Sequence, residues 1–156
     1  MEKTTQVKVD HYNNEVNGTV NANTTFPLRY LVNDQYYDPS QGPILMYTGN
    51  EGDIWGFYNN SGFMTDTLAK KLGALVVFAE HRWYGTSYPF GGEAYAKLNK
   101  NLKYLTVPQV LWDFIDVIDV IKNDQSYANI TNKAVIVGGG SYGGMLSAWM
   151  RMKYPN

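Results

Sequence analysis

The run Ala134-Val135-Ile136-Val137, followed at once by Gly138-Gly139-Gly140-Ser141-Tyr142-Gly143-Gly144, constrains this chain more than any other feature. A short β-branched apolar stretch meets a glycine cluster holding one serine, and an apolar helical segment begins directly after it. Over residues 139–143 the window fits G-x-S-x-G, a nucleophile elbow, in which the strand turns into the helix so sharply that the serine is strained. A Cβ two residues to either side would collide with strand and helix, which explains glycine at 139 and 143. Such a turn lifts the Ser141 hydroxyl above the sheet. It also aims the Tyr142 backbone N–H, and the positive end of the following helix, at a developing oxyanion. Two other readings stay open. Gly138, Gly140 and Gly143 fit the G-x-G-x-x-G of a dinucleotide loop, which wants a first strand and an acidic residue about 20 positions further on. At least two strand-like runs precede this one. A glycine-rich turn with no chemistry is the other alternative. No Lys-Ser or Lys-Thr follows the glycines, so a Walker-A loop is excluded.

With 156 residues, 44% of them hydrophobic, the chain can bury a core. Its net charge is −1 and neither sign clusters, so no nucleic-acid or membrane partner is expected. No apolar run approaches the ~20 residues that cross a bilayer. The absence of cysteine removes disulfides, thiolate metal sites and cysteine nucleophiles together, and neither metal nor cofactor is expected. Four N-x-[ST] sequons, at Asn17, Asn23, Asn59 and Asn129, lean toward a secretory route. The amino terminus Met1-Glu2-Lys3-Thr4-Thr5 carries no apolar stretch, so no signal peptide is visible there.

Along the chain, residues 1–27 are polar and read as extended or looping. Phe26-Pro27-Leu28-Arg29-Tyr30-Leu31-Val32 alternates as a strand does, with Pro27 near its start. Ile44-Leu45-Met46-Tyr47 and Ala74-Leu75-Val76-Val77-Phe78-Ala79 are continuous apolar runs, the pattern of strands buried on both faces. Between them, residues 61–72 suit a helix with Phe63, Leu68 and Leu72 on one face and Gly73 as its stop. Residues 88–105 read as an aromatic, glycine-containing loop. Thr106 and Gln109 have capping-box spacing, with Pro108 in the first turn. Val110, Leu111, Phe114, Ile118 and Ile121 form the buried face of the helix that follows. Asp113, Asp116 and Asp119 lie along another face, where a solvated row is the expected reading rather than a metal or acid–base site. Alternating β and α units of this kind predict a mostly parallel α/β sheet.

Five motifs then carry a resemblance. They are Val9-Asp10-His11-Tyr12-Asn13; Phe26 with Arg29-Tyr30-Leu31-Val32-Asn33-Asp34; and Gly42-Pro43-Ile44 running into Tyr47-Thr48-Gly49-Asn50-Glu51-Gly52-Asp53. The last two are Ala79-Glu80-His81-Arg82-Trp83-Tyr84-Gly85-Thr86-Ser87 and Gly139-Gly140-Ser141-Tyr142-Gly143-Gly144-Met145-Leu146. In these the chain resembles the serine exopeptidase family of lysosomal prolyl carboxypeptidase and dipeptidyl peptidase II. The resemblance implies an α/β-hydrolase core with an inserted cap, a triad completed by Asp and His, and cleavage of peptides next to proline or at their termini. It matches Ser141 to the nucleophile and Tyr142 N–H to one oxyanion donor. It places the second donor in the loop after the third strand of the fold, at Glu51 or Gly52 N–H, with Asn50 and Glu51 as substrate-binding candidates. A lysosomal, vacuolar or secreted location and a homodimeric full-length enzyme accompany it.

In this fold the triad runs Ser, then Asp or Glu, then His, yet both histidines, His11 and His81, precede Ser141. His81-Arg82 is therefore expected to be a structural hydrogen-bonding cluster at a strand end, and His11 a packing residue. The chain accordingly reads as the amino-terminal part of an incomplete α/β-hydrolase core, lacking cap, triad Asp and triad His, with an apolar sheet edge exposed. A catalytically inactive remnant and an esterase or lipase on the same fold are the alternatives.

Overall fold

The computed structural model describes residues 1–12, 20 and 23–155. Its strands are β1 (Glu2–Lys8), β2 (Thr25–Asn33), β3 (Ile44–Thr48), β4 (Leu75–Ala79) and β5 (Val135–Gly138). Its α-helices are α1 (Ile54–Asn59), α2 (Ala69–Leu72), α3 (Glu93–Ala96), α4 (Val107–Lys122) and α5 (Ser141–Lys153). The strands form one sheet in the order β1-β2-β4-β3-β5. β3 runs parallel to both β4 and β5, and β2 runs antiparallel to β4 and to β1. Among the described strands only β2 is reversed, so the sheet is mostly parallel, as expected from the apolar runs.

Every residue of β3 and β4 is buried. Successive side chains point to opposite faces, and each face finds its own cover. Leu45, Tyr47, Val76 and Phe78 pack with Ile54, Met64 and Ala69 on the α1–α2 side. Ile44, Met46, Leu75 and Val77 pack with Val110, Phe114, Val117, Leu146 and Met150 on the α4–α5 side. Burying each large aliphatic side chain stabilises the fold by about 1.5–3 kcal/mol. These two layers hold the carboxyl ends of β3, β4 and β5 side by side, which is where the loops of interest emerge. β5 forms an edge of the described sheet, with Ile136 45% exposed, in keeping with the expected bare apolar edge.

Several expectations need correction. Residues 2–8, read only as extended or looping, are an extended strand paired with β2 from Glu2↔Leu31 to Lys8↔Thr25. Only Val7 of β1 is fully buried, so no apolar alternation announces it. Phe63 is 70% exposed rather than on a buried face. It opens a π-helical stretch, Phe63–Leu68, whose wider turn breaks the 3.6-residue spacing; Met64, Thr65 and Ala69 are buried instead. The 88–105 segment contains α3 and the 3₁₀ turn Leu102–Tyr104. Thr106 stands at the N-cap of α4 but makes no side-chain capping bond. Gln109 turns away, accepting from His11 N at 2.8 Å and donating to Asp10 Oδ1 at 2.7 Å. Asp113 is fully buried, which overturns the solvated-row reading at that position, whereas Asp119 is exposed.

Candidate active site

Ser141 is the first residue of α5 and is exposed at the end of β5, with φ at +51°. A serine held in the left-handed region costs on the order of 1–3 kcal/mol and persists only where its surroundings enforce it. The enforcement is steric. A Cβ at Gly143 would stand 2.5 Å from Thr48 O, and one at Gly139 would stand 2.7 Å from Gly143 C and 2.9 Å from Thr48 Oγ1. The first turn of α5 therefore lies directly on the end of β3. Hydrogen bonds reinforce the contact: Thr48 Oγ1 is 2.7 Å from Gly143 O and 2.6 Å from Ser147 Oγ. Thr48 lies in the Tyr47–Asp53 motif and Ser147 follows the elbow, but nothing in the sequence pairs their hydroxyls, which are 99 residues apart.

The first hydrogen bond of α5 runs from Gly144 N to Gly140 O, so the N–H groups of residues 141–143 precede the helical ladder. The loop after β3 approaches the same spot. The Asn50 Oδ1 atom would lie 3.3 Å from a Cβ on Gly143, and the exposed Glu51 carboxylate accepts from Asn50 Nδ2 at 3.1 Å. Gly52 N–H is already engaged, donating to Asn50 O at 2.8 Å. Asn50 Oδ1 is buried with no hydrogen-bond partner among the described residues. Thus the structure brings Asn50 and Glu51 to the elbow.

His81 sits behind Tyr142. Its Nδ1 is 2.5 Å from the Arg82 carbonyl, which can only accept, so Nδ1 carries the proton. The bare Nε2 then accepts from the Tyr142 hydroxyl at 3.3 Å. Burial lowers the His81 pKa against the opposing pull of the Arg82 carbonyl bond. Burial, followed by the charge of Glu51, raises the Tyr142 phenol. Among the described residues no side chain hydrogen-bonds the Ser141 hydroxyl, and no three His, Cys, Asp or Glu groups gather to hold a metal.

Arg82 is fully buried and uses all five of its N–H donors. It meets Asp113 through Nε and Nη2, Val9 O and Tyr104 O through Nη1, and Lys8 O through Nη2. His11 Nε2 lies 2.8 Å from Asp113 Oδ1, and the His11 ring stacks on Trp112. This cluster ties β1, the strand end and α4 together. Of the sequon asparagines, Asn23, Asn59 and Asn129 are exposed, while Asn17 lies outside the described residues, as does Asn13 of the first motif.

A mostly parallel sheet of this strand order, with a strained serine at a strand-to-helix elbow, defines an α/β-hydrolase. Two solved structures share the fold. One is of a Bacteroides ovatus protein assigned as a dipeptidyl aminopeptidase IV (TM-score 0.59, 16% identity, covering 99% of this chain and 20% of that one). The other is the thioesterase domain from the curacin biosynthetic pathway (TM-score 0.55, 14% identity, 99% and 41%). The family is set by sequence: the model of serine carboxypeptidase S28 matches residues 7–156, and the chain belongs to that family of serine peptidases. It is 50% identical over 151 residues to lysosomal Pro-X carboxypeptidase of Homo sapiens, a match covering 97% of this chain and 28% of that protein. The Bos taurus protein of the same name is 48% identical over the same shares.

Proposed function

We propose that this chain is the amino-terminal part of a serine exopeptidase that cleaves proline-containing peptides through an acyl-enzyme on Ser141. The observation that carries the proposal is the exposed Ser141 at φ +51°, wedged by Gly139 and Gly143 against the loop that follows β3. Ser141 Oγ attacks the scissile carbonyl carbon, its proton passing to a triad histidine supplied by sequence following this chain. The same proton then goes to the leaving amine, and water hydrolyses the ester to release the acid and restore the hydroxyl. Tyr142 N–H stabilises the tetrahedral oxyanion. Glu51 N–H is the second donor of choice over Gly52 N–H, which already bonds Asn50 O. Each donor contributes roughly 2.7–4 kcal/mol to transition-state stabilisation. Asn50, whose buried oxygen has no partner among the described residues, and the Glu51 carboxylate are the substrate-facing groups on this side of the site. The name shared by the Pro-X carboxypeptidase relatives supports proline preference and a lysosomal location. The exposed sequons at Asn23, Asn59 and Asn129 suit a glycoprotein on that route.

The test compares hydrolysis of peptides ending in Pro–X, peptides lacking proline and simple esters by the full-length protein and by Ser141→Ala. Cleavage of the Pro–X set that disappears with Ser141→Ala supports the proposal. Turnover of esters alone would move the protein to the esterase reading, and no turnover of either class to the inactive one.

A further inference from the structure

Two buried groups at the end of β4 hold both ends of the loop that carries Asn50, Glu51 and Gly52. Gly49 N–H, where the loop begins, donates to Ala79 O at 2.9 Å. Ile54 N–H, where it closes into α1, donates to Glu80 Oε1 at 3.0 Å. Glu80 is fully buried and accepts from every side. Its Oε1 also receives Arg29 Nη2 at 2.6 Å; its Oε2 receives Thr86 N at 2.9 Å, Ser87 Oγ at 2.8 Å and Arg29 Nε at 3.3 Å. The same Arg29 Nη2 reaches Asp53 Oδ2 at 2.5 Å, and the other Asp53 oxygen caps α1 through Trp55 N at 2.8 Å. Burial works against the Arg29 charge, but the hydrogen bonds to Glu80 and Asp53 outweigh it and raise its pKa; the Arg29 contact in turn lowers that of Asp53. Gly85 closes the arrangement, since at φ +56° a Cβ there would lie 1.9 Å from Glu80 Oε1. The carboxylate is therefore locked in one position, and Asp53 and Ile54 are fixed relative to it.

We propose that Glu80 is a positioning residue for the oxyanion loop. Acting through Ile54 N–H and the Arg29–Asp53 pair, it sets the direction of the Glu51 amide two to three residues upstream. The inference rests on the oxyanion role proposed above for that loop. A donor aimed at a transition-state oxygen contributes fully only when it is held rigidly beforehand, so loosening the clamp lowers kcat while leaving substrate affinity nearly untouched.

The experiment uses full-length protein carrying Glu80→Asp, which keeps the charge beside Arg29 but withdraws the carboxylate from Ile54 N–H. Glu80→Gln is the second variant, keeping the length and removing the charge. Three quantities are read: kcat and KM on a Pro–X peptide, the rate of Ser141 labelling by a fluorophosphonate, and amide hydrogen exchange across residues 50–54. The expected result for Glu80→Asp is a drop of at least tenfold in kcat and in labelling rate, KM within threefold, and faster exchange confined to residues 50–54. A kcat within twofold of the unsubstituted protein, or a loss residing wholly in KM, overturns the proposal. Should Ser141 be inert in the unsubstituted protein, the peptidase reading itself fails. Exchange then decides the clamp alone: faster at 50–54 in Glu80→Asp upholds it, and unchanged overturns it.

Discussion

Arg82 and Asp113 meet through two hydrogen bonds of 2.6 Å each, in an interior where neither side chain is exposed to solvent. The remaining Arg82 donors end on the carbonyls of Lys8, Val9 and Tyr104, so one guanidinium gathers two separate stretches of backbone onto α4. Removing the carboxylate leaves a buried cation uncompensated. Asp113→Ala is expected to destabilise the protein by about 3–5 kcal/mol, the range for breaking one side of a buried pair. Urea denaturation of the variant against the parent measures it, and a loss under 1 kcal/mol would show that the pair contributes little.

Gly143 touches the end of β3 so closely that its replacement acts on the chemistry. In Gly143→Ala the new methyl meets Thr48 O at 2.5 Å, and the turn of α5 must retreat, carrying Ser141 with it. Displacements near 1 Å at a reacting group cost about 10²-fold in rate. The expectation is a loss of that order in kcat for Gly143→Ala, with circular dichroism retained. Gly144→Ala, where the closest contact is 3.0 Å from Gly139 O, loses less. Equal activity in the two variants would contradict the packing account.

His81 gives the stability a dependence on pH. Burial holds its pKa below the ordinary 6.5, so the unfolded chain takes up a proton that the folded one refuses. The neutral-ring contribution is complete above 6.5 and is lost as pH falls from there through the folded pKa. His81→Gln should therefore flatten the fall in denaturation free energy between pH 7 and pH 5 relative to the parent. Parallel curves for the two proteins would assign that fall to other groups.

Asp124 acts in a lower window. The Ser126 hydroxyl, then Lys3 at 2.9 Å, pull its carboxyl down to about 2, so it stabilises the folded state above the ordinary carboxyl value of 3.8. The contribution disappears as pH falls through about 2. Asp124→Asn should be less stable than the parent at pH 6, and the two should converge near pH 2. A gap that persists at pH 2 would contradict the ionic origin.

The elements that packing covers on both sides were legible in the sequence. β3 and β4 stand out because every side chain in them is buried, and the elbow stands out because sterics there admit only glycine. β1 could be read no further than extended or looping because six of its seven residues keep some contact with solvent and their pairing partners lie in β2. The wide turn at Phe63–Leu68 defeated a 3.6-residue template, and α1 and α3 are too short to show a period. Asp113 was misread because its neighbours Asp116 and Asp119 suggested a solvated row; only the fold brings Arg82 and His11 to it. The candidate site shows the same division. Ser141 was visible from local chain, whereas Thr48, Ser147 and the Glu80–Arg29 clamp act through contacts between residues far apart in sequence. The one hint was local: the charged run Glu80-His81-Arg82 directly after an all-apolar strand, where buried charges must find partners.

Ser141 is the proposed nucleophile, and mapping a covalent adduct tests that role most directly. Full-length protein treated with a fluorophosphonate and digested for mass spectrometry should carry the label on the peptide containing Ser141, with none in Ser141→Ala. A label on another residue, or undiminished labelling of Ser141→Ala, would contradict the account.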